Sequence, residues 1–80
     1  MTTTLNCKIV DGLMPSEKIA IIQSADGSTE EVAVSMQNFT GDKLMAFIIG
    51  EHEGKVLVEL PRETVSGRWR MWVNQSAIGG

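Results

Sequence analysis

The sequence predicts an all-β fold, and three observations lead to that class. Stretches in which apolar and polar residues alternate dominate the chain, as in half-buried strands. Clusters of Gly, Pro, Asn and Asp separate these stretches at the spacing of hairpins. Apolar residues never keep a helical spacing over as many as about ten residues. We therefore predict six strands, at residues 5–10, 18–23, 29–36, 44–49, 55–60 and 68–73.

The second and third strands form the clearest hairpin. They flank an Asp-Gly dipeptide at residues 26–27, which is a strong signal for a two-residue type I′ turn. That turn sets Ile21 opposite Val32 and Ile19 opposite Val34. One face of this hairpin is then uniformly apolar and is predicted to face the core.

The fourth strand consists of six consecutive apolar residues, and a Gly-containing turn joins it to the fifth. A two-residue loop at 52–53 would set Phe47 opposite Val58 and Ile49 opposite Val56, whereas a three- or five-residue loop would change this register. With the two-residue loop, the predicted core consists of Ile19, Ile21, Val32, Val34, Phe47, Ile49, Val56 and Val58.

The last strand contains both tryptophans of the chain. Because side chains alternate, Trp69 shares one face with two smaller apolar residues, while Arg68, Arg70 and Trp72 share the other. If the first face is core, the second displays an indole between two guanidinium groups, which is a common recognition surface. Arg68, Arg70 and Trp72 are therefore the candidate partner-binding residues.

The second half of the chain resembles an SH3-like barrel. Three strands form a meander that Pro61 interrupts, residues 62–67 are expected to form a surface loop or a 3₁₀ turn, and residues 74–77 can form one more turn with Ile78 packing back. The resemblance implies a small barrel of five or six short antiparallel strands, with a single 3₁₀ turn as an option.

Length and composition predict one cytoplasmic domain over residues 1–80, with flexible ends at 1–4 and 79–80. The longest apolar run has six residues, whereas a membrane span needs about 20. A basic start followed by an apolar segment, as in a secretory signal, is not visible. With Cys7 as the single cysteine, no intramolecular disulfide can form, which fits a reducing compartment.

Residues suited to catalysis are few. His52 is the only histidine, and we expect it to be a solvated turn residue, with a weak metal contact alongside Glu51 and Glu53 as the alternative. Cys7 is expected to be a small apolar residue of the core. The sequence therefore predicts no enzymatic activity, no cofactor and no metal site.

The charge distribution bears on nucleic acid as a partner. The net charge of −3 disfavours binding to a polyanion, although residues 55–80 alone carry four basic residues against two acidic ones. The order of Gly41, an apolar strand to Gly50, a fifth strand, Pro61 and Arg68 is similar to the strand layout of carbon storage regulator proteins, small β dimers that bind RNA. This resemblance implies nucleic-acid binding through the face of Arg68, Arg70 and Trp72.

The strand at 44–49 is apolar on both faces, although an antiparallel protein of this size has one core to face. A homodimer through Leu44, Ala46 and Ile48 would cover the second face. We therefore predict an interaction module that binds a protein or peptide partner. The alternatives are a small RNA- or DNA-binding protein and a homo-oligomeric structural protein.

Overall fold

Strands make up most of the structure, which confirms the all-β class. The computed structural model describes residues 1–79, and the helical segments in that range are two 3₁₀ turns, Met36–Asn38 and Gln75–Ala77. No helix in this range is long and apolar enough to cross a membrane. The strands are β1 Thr2–Asn6, β2 Lys8–Asp11, β3 Glu17–Gln23, β4 Thr29–Ser35, β5 Phe39–Thr40, β6 Lys43–His52, β7 Lys55–Glu59 and β8 Arg70–Asn74.

These strands form two antiparallel sheets. β1, β6, β7 and β8 lie side by side in that order, with β5 paired to β6, while β2, β3 and β4 form the second sheet. Only Cys7 separates β1 from β2, so this part of the chain passes from one sheet into the other. If β1 and β2 are counted as one interrupted strand and the two-residue β5 is left out, the fold has six strands, which is the number that the sequence predicts.

Both sheets contribute to a single core. Four residues predicted to be buried are in it, namely Val32, Val34, Val56 and Val58. The full set of buried apolar residues is Leu5, Ala20, Ile22, Val32, Val34, Leu44, Ala46, Val56, Val58, Leu60, Met71 and Val73.

The turn between β3 and β4 differs from the predicted one. The backbone N–H of Ser24 donates to the carbonyl oxygen of Ser28 (2.7 Å), and that of Gly27 donates to Ser24 (3.0 Å). Only Gly27 adopts positive φ (91°) in this turn. Three residues thus form the loop, with glycine in the left-handed position that such hairpins need, instead of a two-residue type I′ turn.

This longer loop reverses the faces of β3. Ala20, and not Ile21, lies opposite Val32. A shift of one residue moves every side chain to the other face. Ala20 and Ile22 are therefore buried, whereas Ile19 and Ile21 are half-buried on the outside, and the prediction that these two isoleucines are core residues is wrong.

The turn between β6 and β7 also differs from the one used to assign the core. Glu53 (φ 50°) and Gly54 (φ 77°) form the two-residue turn, so the loop lies one residue later than predicted. An irregularity between Ile48 and Gly50 then shifts the register within β6. Phe47 and Ile49 consequently point outward, 52% and 43% exposed, and their assignment to the core is wrong.

The C-terminal segment closes on β1. Ile78 forms a bridge with Leu5, and the backbone N–H of Gly79 donates to Thr4 (2.7 Å). The prediction that Ile78 packs back is confirmed. Residues 2–4, expected to be flexible, are part of β1, and Gly80 lies outside the described residues.

Candidate interaction surface

The outward side of the larger sheet carries two of the four aromatic residues of the chain, Phe47 and Trp72, and a third, Trp69, lies beside Phe47 in the connection before β8. Strand pairing arranges its side chains in rows. One row runs from Phe47 through Glu59 to Arg70, and the next places Leu57 beside Trp72. We call this surface the outer face, and define it by Met45, Phe47, Ile49, Leu57, Glu59, Trp69, Arg70 and Trp72.

The apolar side chains of the outer face are well exposed. Phe47 and Trp69 are each 52% exposed, and Trp72 is 39% exposed. On β6, Met45 lies between two buried residues and Ile49 between two half-buried ones, and they are 37% and 43% exposed. Aromatic and Met side chains grouped in this way are typical of protein interfaces, because burying them against a partner removes much apolar area from water.

An ion pair lies within this apolar surface. Arg70 Nε lies 3.0 Å from Glu59 Oε2, and the two residues are opposite each other on β8 and β7. Both side chains remain partly exposed. The pair therefore contributes a positive and a negative group side by side, available to a partner, while adding no net charge to the outer face.

A groove lies on the Phe47 side of this ion pair. Its volume is about 360 Å³. Met45 and Phe47 form one wall, while Trp69 and Pro61 come from the chain between β7 and β8. The backbone N–H of Leu60 donates to the carbonyl oxygen of Trp69 (2.8 Å), which holds the two ends of this connection together. We call this recess the Phe47 groove.

A second recess, of about 410 Å³, adjoins Trp72. The β3–β4 turn forms one side of this Trp72 cleft, since Ala25 N–H donates to the carbonyl oxygen of Trp72 (2.8 Å). Residues lining it include charges of both signs, among them Asp26, Lys55 and Arg68. Hydrogen bonds from the Ser28 hydroxyl and backbone N–H lower the pKa of Asp26 to about 2, so this carboxylate is charged at neutral pH.

Arg68 is positioned by the loop before β8. Its backbone N–H donates to Thr64 Oγ1 (3.0 Å), and its guanidinium Nε lies 3.7 Å from Glu30 Oε2. Glu30 is buried and also accepts a hydrogen bond from Ser66 Oγ. Bonds from the hydroxyls of Ser66 and Thr64 lower the pKa of Glu30, which keeps this partner of Arg68 ionised.

The predicted partner-binding residues are all exposed. Arg70 and Trp72 share the outward side of β8, as alternation predicts, and Arg68 lines the Trp72 cleft from the preceding loop. Sequence reasoning did not find Phe47 on this surface, because the register was misassigned. It also placed Trp69 with the inward residues, whereas β8 begins only at Arg70, so alternation does not extend to Trp69.

The candidate oligomer interface of Leu44, Ala46 and Ile48 was assigned to the wrong side of β6. Leu44 and Ala46 are buried, and Ile48 packs half-buried against the core. The register shift between Ile48 and Gly50 places Met45, Phe47 and Ile49 outward instead. Self-association through this strand stays a prediction, and the side available for it is the outer face.

Other reactive side chains lie apart from one another. His52 is exposed near the β6–β7 turn, 3.7 Å from Glu53. Cys7 is half-buried between β1 and β2, and burial raises the pKa of its thiol, which disfavours the reactive thiolate. Over residues 1–79, no three His, Cys, Asp or Glu side chains group to hold a metal ion.

Comparisons of this chain with protein-family models, with curated proteins and with solved structures found no match. The functional proposal therefore rests on the chemistry and geometry of the outer face.

Proposed function

We propose that this protein is a non-enzymatic interaction module that binds a protein or peptide partner through the outer face. The observation that carries this proposal is the exposure of Phe47 and Trp72 on one side of one sheet, with Trp69 from the connection before β8 lining the groove beside Phe47. Exposed aromatic residues contribute a large share of binding energy at protein interfaces. A rigid sheet also presents them without the entropy cost of ordering a loop.

The Phe47 groove supports a peptide or side-chain ligand in particular. It is open, mainly apolar, and lined by the rings of Phe47 and Trp69. Polar groups at its border, including Asn38 and Glu59, could hydrogen-bond the backbone of a segment that lies across it. An apolar side chain of the partner would fill the recess, while its backbone meets the polar border.

Charge favours protein over nucleic acid as the partner. Arg68 and Arg70, the two cations of the predicted nucleic-acid face, each lie beside a carboxylate of this chain, Glu30 and Glu59. Phosphate binding would have to compete with these carboxylates in a chain whose net charge is −3. An apolar partner meets no such competition.

Selection from a phage-displayed library of short random peptides tests this function. The protein is immobilised sparsely, and enriched peptides are then titrated in solution against the wild type and two variants. Phe47→Ser should weaken binding at least about tenfold, because an anchor side chain is lost. Leu13→Ser is the matched control, since Leu13 is 98% exposed outside the outer face, and it should bind as the wild type does.

A single-stranded RNA oligonucleotide is the competing probe. The proposal predicts no tight binding of this probe. Binding that weakens steeply with added salt, and that Arg68→Ala and Arg70→Ala abolish, would contradict protein recognition and favour the nucleic-acid alternative. Peptides that bind the Phe47→Ser variant as well as the wild type would also contradict it.

A further inference from the structure

We infer that the protein partner of the outer face is a second copy of this chain, packed face to face about a two-fold axis that runs along β7 and β8. In this arrangement Arg70 lies opposite Glu59 of the partner subunit, and Trp72 lies opposite Leu57 of the partner subunit. The inference rests on the proposed function, because it names the partner that the outer face recognises.

The rows of the β7–β8 pair are self-complementary. When two outer faces meet about a two-fold axis that runs between these strands, each β7 residue of a row lies opposite the β8 residue of the same row in the partner subunit. The row of Glu59 and Arg70 then matches negative with positive, and the row of Leu57 and Trp72 matches apolar with apolar. Lys55 and Asn74 form the third row, which is polar and exposed and suits the rim of an interface.

The central ion pair gains from this arrangement. In one copy, Arg70 has a single carboxylate neighbour at 3.0 Å and both side chains are partly exposed. In the dimer, each Arg70 would lie between its own Glu59 and that of the partner subunit, so four charges of alternating sign meet at the axis. Such a network satisfies the charges that the dimer removes from water.

The exposed apolar area fits the core of a small dimer interface. At roughly 200 Å² for each ring, the exposed parts of Phe47, Trp69 and Trp72 sum to about 300 Å². A stable complex buries about 800 Å² per partner, of which the centre is apolar and the rim polar. Met45, Ile49 and Leu57 add to this apolar area around the central ion pair, and the polar row of Lys55 and Asn74 lies toward the rim.

The test uses two charge reversals, Glu59→Lys and Arg70→Glu, with mass measured by sedimentation equilibrium. The wild type should form a dimer of about 17 kDa at micromolar concentration, twice the 8.7 kDa of one chain. Each variant alone should be a monomer, with dimer dissociation constants raised about a hundredfold or more, because like charges then meet at the axis. Mixed in equal amounts, the two variants should restore a dimer, since one outer face is then positive and the other negative.

Glu31→Lys and Lys8→Glu are the matched controls. They make the same changes in net charge on exposed residues of the smaller sheet, and both should remain dimeric. Circular dichroism verifies that all four variants keep the fold, which we expect because exposed ion pairs contribute little to stability. Dissociation of the control dimers would overturn the inference, since net charge alone would then govern assembly.

Three other results would overturn the inference: a wild-type monomer at every concentration, variants that remain dimeric when alone, or a mixture that stays monomeric. A monomer that still binds library peptides through Phe47 would remove the second copy as partner and leave the proposed function standing. A monomer that binds no peptide would contradict both.

Discussion

Glu30 shows how single residues hold the loop before β8 in place. Its carboxylate accepts a hydrogen bond from Ser66 and lies near the guanidinium of Arg68, although the loop is distant in sequence from β4. Thr64 is also buried and links Ser66 to the backbone of Arg68. Because this loop leads into Trp69 and β8, the cluster at Glu30 supports the edge of the outer face.

The Glu30 cluster predicts a loss of stability in acid. Its folded-state pKa lies below the ordinary value of 4.5, so the carboxylate stabilises the fold above that pH. The contribution is lost as the pH falls from the ordinary pKa through the lowered one. Glu30→Gln should reduce the free energy of unfolding by about 1 kcal/mol at neutral pH, measured by urea denaturation, because a charged acceptor is lost.

The pH dependence provides the check on this prediction. The difference between wild type and Glu30→Gln should shrink as the pH is lowered below about 4, where the wild-type carboxyl also becomes neutral. Glu31→Gln, an exposed neighbour, should show no such difference. A constant difference between wild type and Glu30→Gln across the acidic range would mean that ionisation of Glu30 does not stabilise the loop.

At the level of strands, the register of the β3–β4 hairpin decides which side of β3 is buried. Ile22 is fully buried and Ile21 is half-buried on the outside. Ile22→Ala should therefore lower the free energy of unfolding by about 2 to 5 kcal/mol, whereas Ile21→Ala should cost about 1 kcal/mol or less. Equilibrium denaturation of the two variants compares the same substitution at adjacent positions. The reverse order would support the two-residue turn instead.

The β6–β7 turn allows a stabilising substitution. Glu53 has a φ of 50°, a left-handed conformation that Asn adopts more readily than Glu, and Gly54 follows it. Glu53→Asn creates the preferred Asn-Gly type I′ turn and should raise the free energy of unfolding by about 0.5 to 1 kcal/mol. Glu51→Asn, within β6, should not stabilise the protein. Thermal denaturation of both variants checks this expectation.

Strand positions could be predicted from the sequence, whereas the faces of β3 and β6 could not. Alternation and turn residues are local signals and locate the strands well. Which side faces inward depends on the loop length for β3 and on the register shift between Ile48 and Gly50 for β6. The Asp-Gly pair at 26–27 suits both a two-residue and a three-residue loop, and a difference of one residue exchanges the faces.

The residues of the candidate site also divide into those whose exposure could be predicted from the sequence and those whose exposure could not. Arg70 and Trp72 could be predicted to point outward, because Met71 and Val73 alternate with them and are apolar. Phe47 could not, because an aromatic residue in an apolar strand is more simply assigned to the core. Its exposure follows from the register shift between Ile48 and Gly50, which depends on pairing with β7.

For the molecule as a whole, the two sheets differ in what they expose. The outward side of the smaller sheet pairs Ile21 with Lys8 and Glu31, which are exposed charged residues on either side of a half-buried one. The outer face of the larger sheet instead exposes Phe47 and Trp72. This difference is the reason why we propose the larger sheet as the side that binds a partner.

The most direct test of recognition of a second copy by the outer face is to detect contacts between two copies at that surface. In a mixture of isotope-labelled and unlabelled chain, filtered nuclear Overhauser spectra report only contacts between different molecules. We predict intermolecular signals between the indole protons of Trp72 and the methyl groups of Leu57, and their loss in the Arg70→Glu variant. Intermolecular signals confined to Ile21 and its neighbours on the smaller sheet, or none at concentrations well above micromolar, would contradict recognition of a second copy by the outer face.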